Sequence, residues 1–188
     1  MLRTLLVAIL VAVLLAFAHP VAHAVATSTG DPRWVFYTKD TTRYSSTWYA
    51  GKHRKMVPFG CTRAPYYDPD PRCTKGRGFH HGLDLAMRCG TRLFAGRNGW
   101  VVSNDALGPA YGENPLLIRN YRVGRDFLLA HTRTVFVEPG DRVTRGMLVA
   151  RASDSGAPDG CHLHFEVRTA AGGLDTAMRP LAYLDLST

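Results

Sequence analysis

Residues 159–168 read DGCHLHFEVR. His162 and His164 are one residue apart, and Leu163 and Phe165 alternate with them. Side chains on a strand have a period of two, so as a strand this segment turns both imidazoles to one face and the bulky apolar residues to the other. Such a face serves either as the polar outside of a half-buried strand or as the floor of a site in which one imidazole binds a metal and the other acts on a substrate.

The sequence on either side of this segment has the same rhythm. RLFAGRNGWVVS (92–103) reads as strand, turn at Arg97-Asn98-Gly99, strand. PLLIRNY and RDFLLAHT read as two strands about a turn at Gly124, and VFVEPGDRVTRGMLVARA has turns at Pro139-Gly140 and Arg145-Gly146, which makes 135–151 a hairpin. A further turn follows at Gly172-Gly173. Short apolar runs at this spacing, without helical periodicity, predict a mainly β fold with short helices at most. Residues 25–57 carry two aromatic runs, RWVFYTKD and STWYAGKHRKM, between Ser/Thr/Gly-rich stretches. They read as an N-terminal arm or extension, a strand or two or a partly ordered segment, ahead of a domain over 58–188.

The chain opens with Arg3, an apolar run from Leu5 to Ala18, Pro20, and the small-x-small pattern Ala22-His23-Ala24. That is the pattern of a secretory signal peptide over 1–24, and the run is shorter than the ~20 apolar residues of a membrane span. A secreted or extracytoplasmic product with no stable membrane span is therefore expected. The 188 residues carry a formal charge of +8, almost all of it beyond residue 24. A basic exported chain is drawn to anionic surfaces. Its Lys and Arg are scattered, with no basic block and no nucleic-acid motif, which argues against a nucleic-acid partner. The four cysteines, Cys61, Cys73, Cys89 and Cys161, lack C-x-x-C spacing and are even in number, so two disulfides are expected. Of the three connectivities, Cys61–Cys73 with Cys89–Cys161 is favoured: the first closes a Pro/Tyr/Asp-rich loop, and the second joins two segments lying beside histidines.

Five of the histidines past residue 24 fall in three segments: His80 and His81 in GFHHGLDLA, His131 in LLAHT, and His162 and His164. In FHHGLDLA one face is mostly apolar and the other carries His80 and Asp84. A straight strand would separate these two by ~13 Å, too far for one ion with bonds of ~2.0–2.2 Å. Gly82 lies midway, where a bend would bring both onto one centre. One His and one Asp from this segment plus one His of the HLH pair make three ligands. Three protein ligands and a water are the pattern of a catalytic zinc site rather than a structural one. His131 and the other histidine of the pair are left for proton transfer and oxyanion stabilisation.

HHGLD together with CHLHFEV resembles the H-x-x-x-D and H-x-H motifs of the lysostaphin-type (LytM-like) zinc metallopeptidases, which cut the peptide part of bacterial peptidoglycan. The resemblance runs over 78–184 and takes in GTRLFAGRNGWVVS, AYGENPLLIRN and VEPGDRVTRGMLVA. It implies an antiparallel sheet with a substrate groove, one Zn²⁺ held by His80, Asp84 and His164, and His131 and His162 as the catalytic pair, with the division of labour between them open. It also implies attack of zinc-activated water on a stem-peptide or cross-bridge carbonyl of the cell wall. A monomer is expected. Leu129 and Thr132 stand where the family commonly has Tyr and Leu. The Cys61–Cys73 loop, just upstream of His80, is expected to wall the groove. A noncatalytic wall-binding regulator and a secreted protease acting on Gly-rich proteins are the rival readings; the first predicts no turnover, the second indifference to cell walls.

Overall fold

The computed structural model describes residues 30–188, so the expected leader lies outside the described residues. Thirteen strands follow in chain order: β1 (Arg43–Ser46), β2 (Tyr49–Lys55), β3 (Gly60–Thr62), β4 (Gly78–His80), β5 (Leu83–Ala86), β6 (Arg92–Phe94), β7 (Gly99–Val102), β8 (Leu116–Asn120), β9 (Arg125–Ala130), β10 (Thr132–Arg133), β11 (Arg142–Val143), β12 (Leu148–Ala152) and β13 (His162–Thr169). Helical structure among the described residues is limited to two single turns, Pro109–Tyr111 and Leu174–Thr176, and the four-residue α1 (Leu181–Leu184). The fold is mainly β, as the turn-punctuated sequence implies. No helix among the described residues is long and apolar enough to cross a membrane.

Eleven strands form one antiparallel sheet in the order β10-β12-β6-β2-β5-β13-β9-β8-β7-β11, with β1 on β2; β3 and β4 form a separate ribbon. β13 is the central strand, paired with β5 on one side and β9 on the other. Its alternation is the one read from the sequence. Leu163, Phe165 and Val167 enter the core, and His162, His164, Glu166 and Arg168 line the other face, all of them buried.

Of the two readings of 25–57, the strand or two is the one formed, as β1 and β2 from Arg43 onward. β2 lies between β5 and β6. Trp48, just ahead of it, is fully buried, with its ring centroid 4.8 Å from Phe165 and 5.1 Å from Phe127. Its indole N–H donates to the Tyr183 carbonyl at 2.8 Å, which satisfies the one polar atom this large side chain brings into the core.

The hairpin read over 135–151 does not form as one. β11 pairs with β7 and β12 pairs with β6 and β10, near opposite ends of the sheet. The turns at Pro139-Gly140 and Arg145-Gly146 are real, but β11 and β12 pair with other strands and not with each other. Apolar spacing fixes that a strand has an inner face, not which neighbour it joins.

Both disulfides pair as expected: Cys61–Cys73 with Cα atoms 5.6 Å apart, and Cys89–Cys161 with Cα atoms 5.3 Å apart. The first clips the loop that connects β3 to β4. The second ties the exit of β5 to the entrance of β13.

Because Trp48 joins the N-terminal strands to the centre of the core, Trp48→Ala should destabilise the fold by about 3–5 kcal/mol. A guanidinium melt should show this as a lowered midpoint with an unchanged slope.

Candidate metal centre

Asp84 on β5 and His164 on β13 are direct cross-strand partners. Their side chains meet on the outer face, with His164 Nδ1 2.8 Å from Asp84 Oδ1. His80 arrives differently. The strand breaks after His80, residues 81–82 bend, and β5 starts at Leu83, so β4 turns off into its own ribbon and swings His80 back over Asp84. His80 Nε2 then lies 3.3 Å from Asp84 Oδ1 and 3.0 Å from His164 Nδ1. Gly82 is required here for space: a Cβ would sit 2.6 Å from His164 Cε1.

These three atoms, from residues buried to within a few per cent, converge on one point. Ligands of a tetrahedral ion with bonds of ~2.0–2.2 Å lie about 3.3–3.6 Å from one another. The observed 2.8–3.3 Å needs only a few tenths of an ångström of spreading. Two nitrogens and a carboxylate oxygen are a donor set that suits a first-row divalent metal. The far nitrogens are held as such a centre demands. His80 Nδ1–H donates to the Pro58 carbonyl at 3.1 Å, leaving Nε2 free to bind. His164 Nε2–H donates to Glu166 Oε1 at 3.0 Å, leaving Nδ1 free.

Glu166 is itself clamped. Arg168 Nε donates to its Oε2 at 2.7 Å, the Tyr111 hydroxyl donates to its Oε1 at 3.0 Å, and Arg168 also donates to the Tyr111 oxygen at 2.7 Å. Burial works against the Glu166 charge, but His164 and Arg168 outweigh it and bring its pKa down to about 2. Burial likewise works against a proton on His164, and the bonds to Asp84 and Glu166 overcome it, raising its pKa to about 10. Asp84 stays ionised well below the usual carboxylate range despite complete burial, because His80, His162 and His164 surround it.

The remaining histidines form a second pair beside the first group. The His131 and His162 rings are 4.4 Å apart, and His131 lies 5.9 Å from the His164 ring. Each uses Nδ1 on a backbone carbonyl, His131 on Ser155 at 2.8 Å and His162 on Gly160 at 2.9 Å. Their Nε2 atoms are thereby left for chemistry, and that of His162 lies 3.7 Å from Asp84 Oδ1. Burial first, then His162 and His164, lower the His131 pKa to about 3, so this ring is neutral at pH 7. His131 is held in the left-handed region, φ +54°, a conformation that is costly for a side-chain-bearing residue. Its N–H bond to Tyr111 O (3.0 Å) and its carbonyl bond from Ser153 N–H (2.7 Å) hold it there.

A groove of about 430 Å³ opens over His80 and His164. Tyr66 to Asp70 of the Cys61–Cys73 loop make one wall, as expected from its position, and Ala110 and Tyr111 face it. His81 stays outside the cluster, at the rim, where Arg72 donates to its Nε2 at 2.9 Å.

The family model of peptidase family M23 matches residues 78–176, more than half of the chain and all five clustered histidines. The chain belongs to peptidase family M23. Peptidoglycan DD-endopeptidase ShyA of Vibrio cholerae serotype O1 is 30% identical over 104 residues, which are 52% of this chain and 23% of that much longer protein. The solved structure of LytU superposes with a TM-score of 0.59 at 26% identity, covering 79% of this chain and 90% of the other. The catalytic domain of the antimicrobial peptidase lysostaphin from Staphylococcus simulans gives 0.56 at 24% identity, over 70% and 92%, and shares the fold.

Sequence reasoning passed over Glu166, Arg168 and Tyr111 in this M23 domain. The first two carried a signal: the alternation that put His162 and His164 on one face continues through Glu166 and Arg168. Tyr111 had none, because a turn 55 residues ahead of Glu166 brings it to the site. Asp31 and Trp34 were also invisible: Asp31 accepts the Cys161 N–H at 3.1 Å and Trp34 donates to the Cys161 carbonyl at 2.7 Å, fastening the start of β13.

Without an ion, His164 keeps a proton up to a pKa of about 10, and an incoming metal must displace it. Metal affinity should therefore climb with pH, by about tenfold per unit across the neutral range. Glu166→Gln should weaken affinity by about 10–100-fold through loss of the charge that orients His164. Competition with a chelator at several pH values would measure both.

Proposed function

We propose that this M23 domain is an extracytoplasmic zinc endopeptidase that hydrolyses peptide bonds in the stem peptides or cross-bridges of bacterial peptidoglycan. The observation that carries the proposal is the adjacency of two groups at the base of one groove, which His80, His131 and His164 line. His80, Asp84 and His164 converge as ligands, and His131 and His162 stand beside them with Nε2 uncommitted. The peptidoglycan endopeptidase among the relatives supports the substrate, and the two disulfides fit an oxidising compartment such as the leader-like residues 1–24 imply.

Zinc bound by the three ligands would supply a Lewis acid that polarises the scissile carbonyl and lowers the pKa of water toward ~7. The chain's own residues do the rest. The walls hold an extended peptide between Tyr66–Asp70 and Tyr111. Neutral His131 offers a lone pair at Nε2, and His162 presents its Nε2 beside it, because both Nδ1 atoms are engaged by backbone carbonyls. One ring takes the proton of the attacking water. That ring, now carrying the proton on Nε2, returns it to the leaving amine, and the other ring, when it holds a solvent-derived proton on its own Nε2, donates to the developing oxyanion. The rigid Nδ1 bonds keep both rings aimed through the cycle.

The test is metal content measured beside fragment release from purified peptidoglycan, for each variant. His164→Ala should lose metal and turnover together. His162→Ala and His131→Ala should keep near-native metal content and lose about 10²–10⁴-fold in rate, the share of a proton-transfer group. Metal-loaded wild-type protein that binds the wall but releases no fragments would instead mark a noncatalytic binder.

A further inference from the structure

We infer that the far end of the sheet carries a second binding surface, for an acidic polysaccharide chain. The strand register puts Arg142 of β11, Trp100 of β7 and Arg119 of β8 side by side on one face. That face is the outer one, because Arg119 is paired in turn with Asp126 of β9, and Asp126 with Arg168 of β13. Four residues along β13 and three strands across separate Trp100 from His164, about 20 Å on the sheet. The surface is thus distinct from the peptidase groove, and the inference does not rest on the peptidase reading.

Two aromatic rings are open there. Trp100 is 44% exposed and Tyr121, in the β8–β9 turn, 66%. With Arg122, Arg142 and Arg145 they line a concavity of about 650 Å³ that has no Asp or Glu in its wall. Arg119 is neutralised by Asp126 (2.7 and 2.8 Å), and Arg97 at the margin by Asp185 (3.2 Å). Arg122, Arg142 and Arg145 make no ion pair among the described residues. The backbone beneath is fixed: the Asn98 carbonyl accepts from Asn120 Nδ2 at 2.8 Å, and Asn98 Oδ1 accepts the Arg145 N–H at 2.8 Å. Unlike the arginines nearer the centre, these three are gathered without a partner carboxylate.

The chemistry of the lining selects its occupant. Guanidinium forks match carboxylates or phosphates in bidentate geometry, and exposed ring faces pack against the C–H faces of sugar rings. A bilayer would need protruding apolar groups, and this surface is concave. A nucleic-acid strand would need a basic track that follows many phosphates. Here the positive charge is local, since Asp141 directly precedes Arg142, Glu138 lies three residues further back, and both are exposed. A sugar chain that carries acid groups beside its rings suits both features of the pocket.

The test measures binding of the purified protein to an oligogalacturonate at physiological salt. A neutral dextran of equal length, a single-stranded oligonucleotide of equal charge and vesicles of anionic lipid are parallel arms. Oligogalacturonate should bind and dextran should not. Trp100→Ala and the double variant Arg142→Ala/Arg145→Ala should each weaken binding by about tenfold, while the charge-matched double variant Arg88→Ala/Arg179→Ala should change it by less than about twofold. If Trp100→Ala disturbs the fold, Tyr121→Ala replaces it with the same expectation. Equal weakening by both double variants would mean that only net charge acts, and would overturn the proposal. So would binding of the oligonucleotide or the vesicles, rather than oligogalacturonate, that the Trp100 and Arg142/Arg145 variants abolish. Wall-fragment release plays no part in the measurement, so its outcome leaves the peptidase reading to its own test.

Discussion

A buried carboxylate faces a buried imidazole across two central strands, Asp84 on β5 against His164 on β13, and the rest of the domain is organised to keep them there. The same register sends Leu83, Leu85, Leu163 and Phe165 into the core. A slip of one residue would turn the leucines and the phenylalanine outward and bury the ionisable groups among apolar neighbours. Core and site are therefore specified by one choice. The hydrophobic face holds the register, and the register places two of the three candidate ligands without any loop. The third, His80, needs the bend at residues 81–82 and a glycine small enough to let the His164 ring pass.

Gathering four histidines, Asp84 and Glu166 within a buried floor is costly unless every polar atom is answered. The site answers them mostly with backbone. Pro58, Ser155 and Gly160 carbonyls each take one imidazole N–H, and only His164 uses a side chain, Glu166. These carbonyls lie in short connecting segments, Pro58 ahead of β3 and Ser155 and Gly160 between β12 and β13, and the bonds to them set each ring's tautomer along with its position. Glu166 is the exception because its charge offsets part of the positive charge that an ion would bring. Arg168 and Tyr111 hold that charge in place. The left-handed backbone at His131 fits the same pattern: an unfavourable local conformation kept by bonds on both sides.

Much of this was legible because β13 is central and regular. Period two in CHLHFEVR gives both faces, and carried four residues past His164 it also gives Glu166 and Arg168. The break between His80 and Asp84 was legible too, since an unbroken strand holds them too far apart and Gly82 offers the bend. Segments with weaker pattern misled. VEPGDRVTRGMLVA has the turns of a hairpin, yet its two strands join different neighbours, because turn residues record a reversal in direction and not the strand that receives the chain. Trp48 lay in what reads as an arm, and nothing nearby in sequence shows that Phe127 and Phe165 wait for it.

The amino-acid sequence by itself determined the strand rhythm, the alternating faces, the even and widely spaced cysteines, and the residue types able to bind a metal. These depend on local backbone geometry and on the chemistry of single side chains, and both are written residue by residue. Only the tertiary structure decided which ring nitrogen faces the centre, that Tyr111 and Arg168 share Glu166, that Asp31 and Trp34 fasten the start of β13, and that Trp100 joins a row of arginines about 20 Å from the groove. Each of those joins residues brought together by strand order and register. Strand order is set by how the whole apolar surface is buried, a property of the folded chain that no short stretch contains.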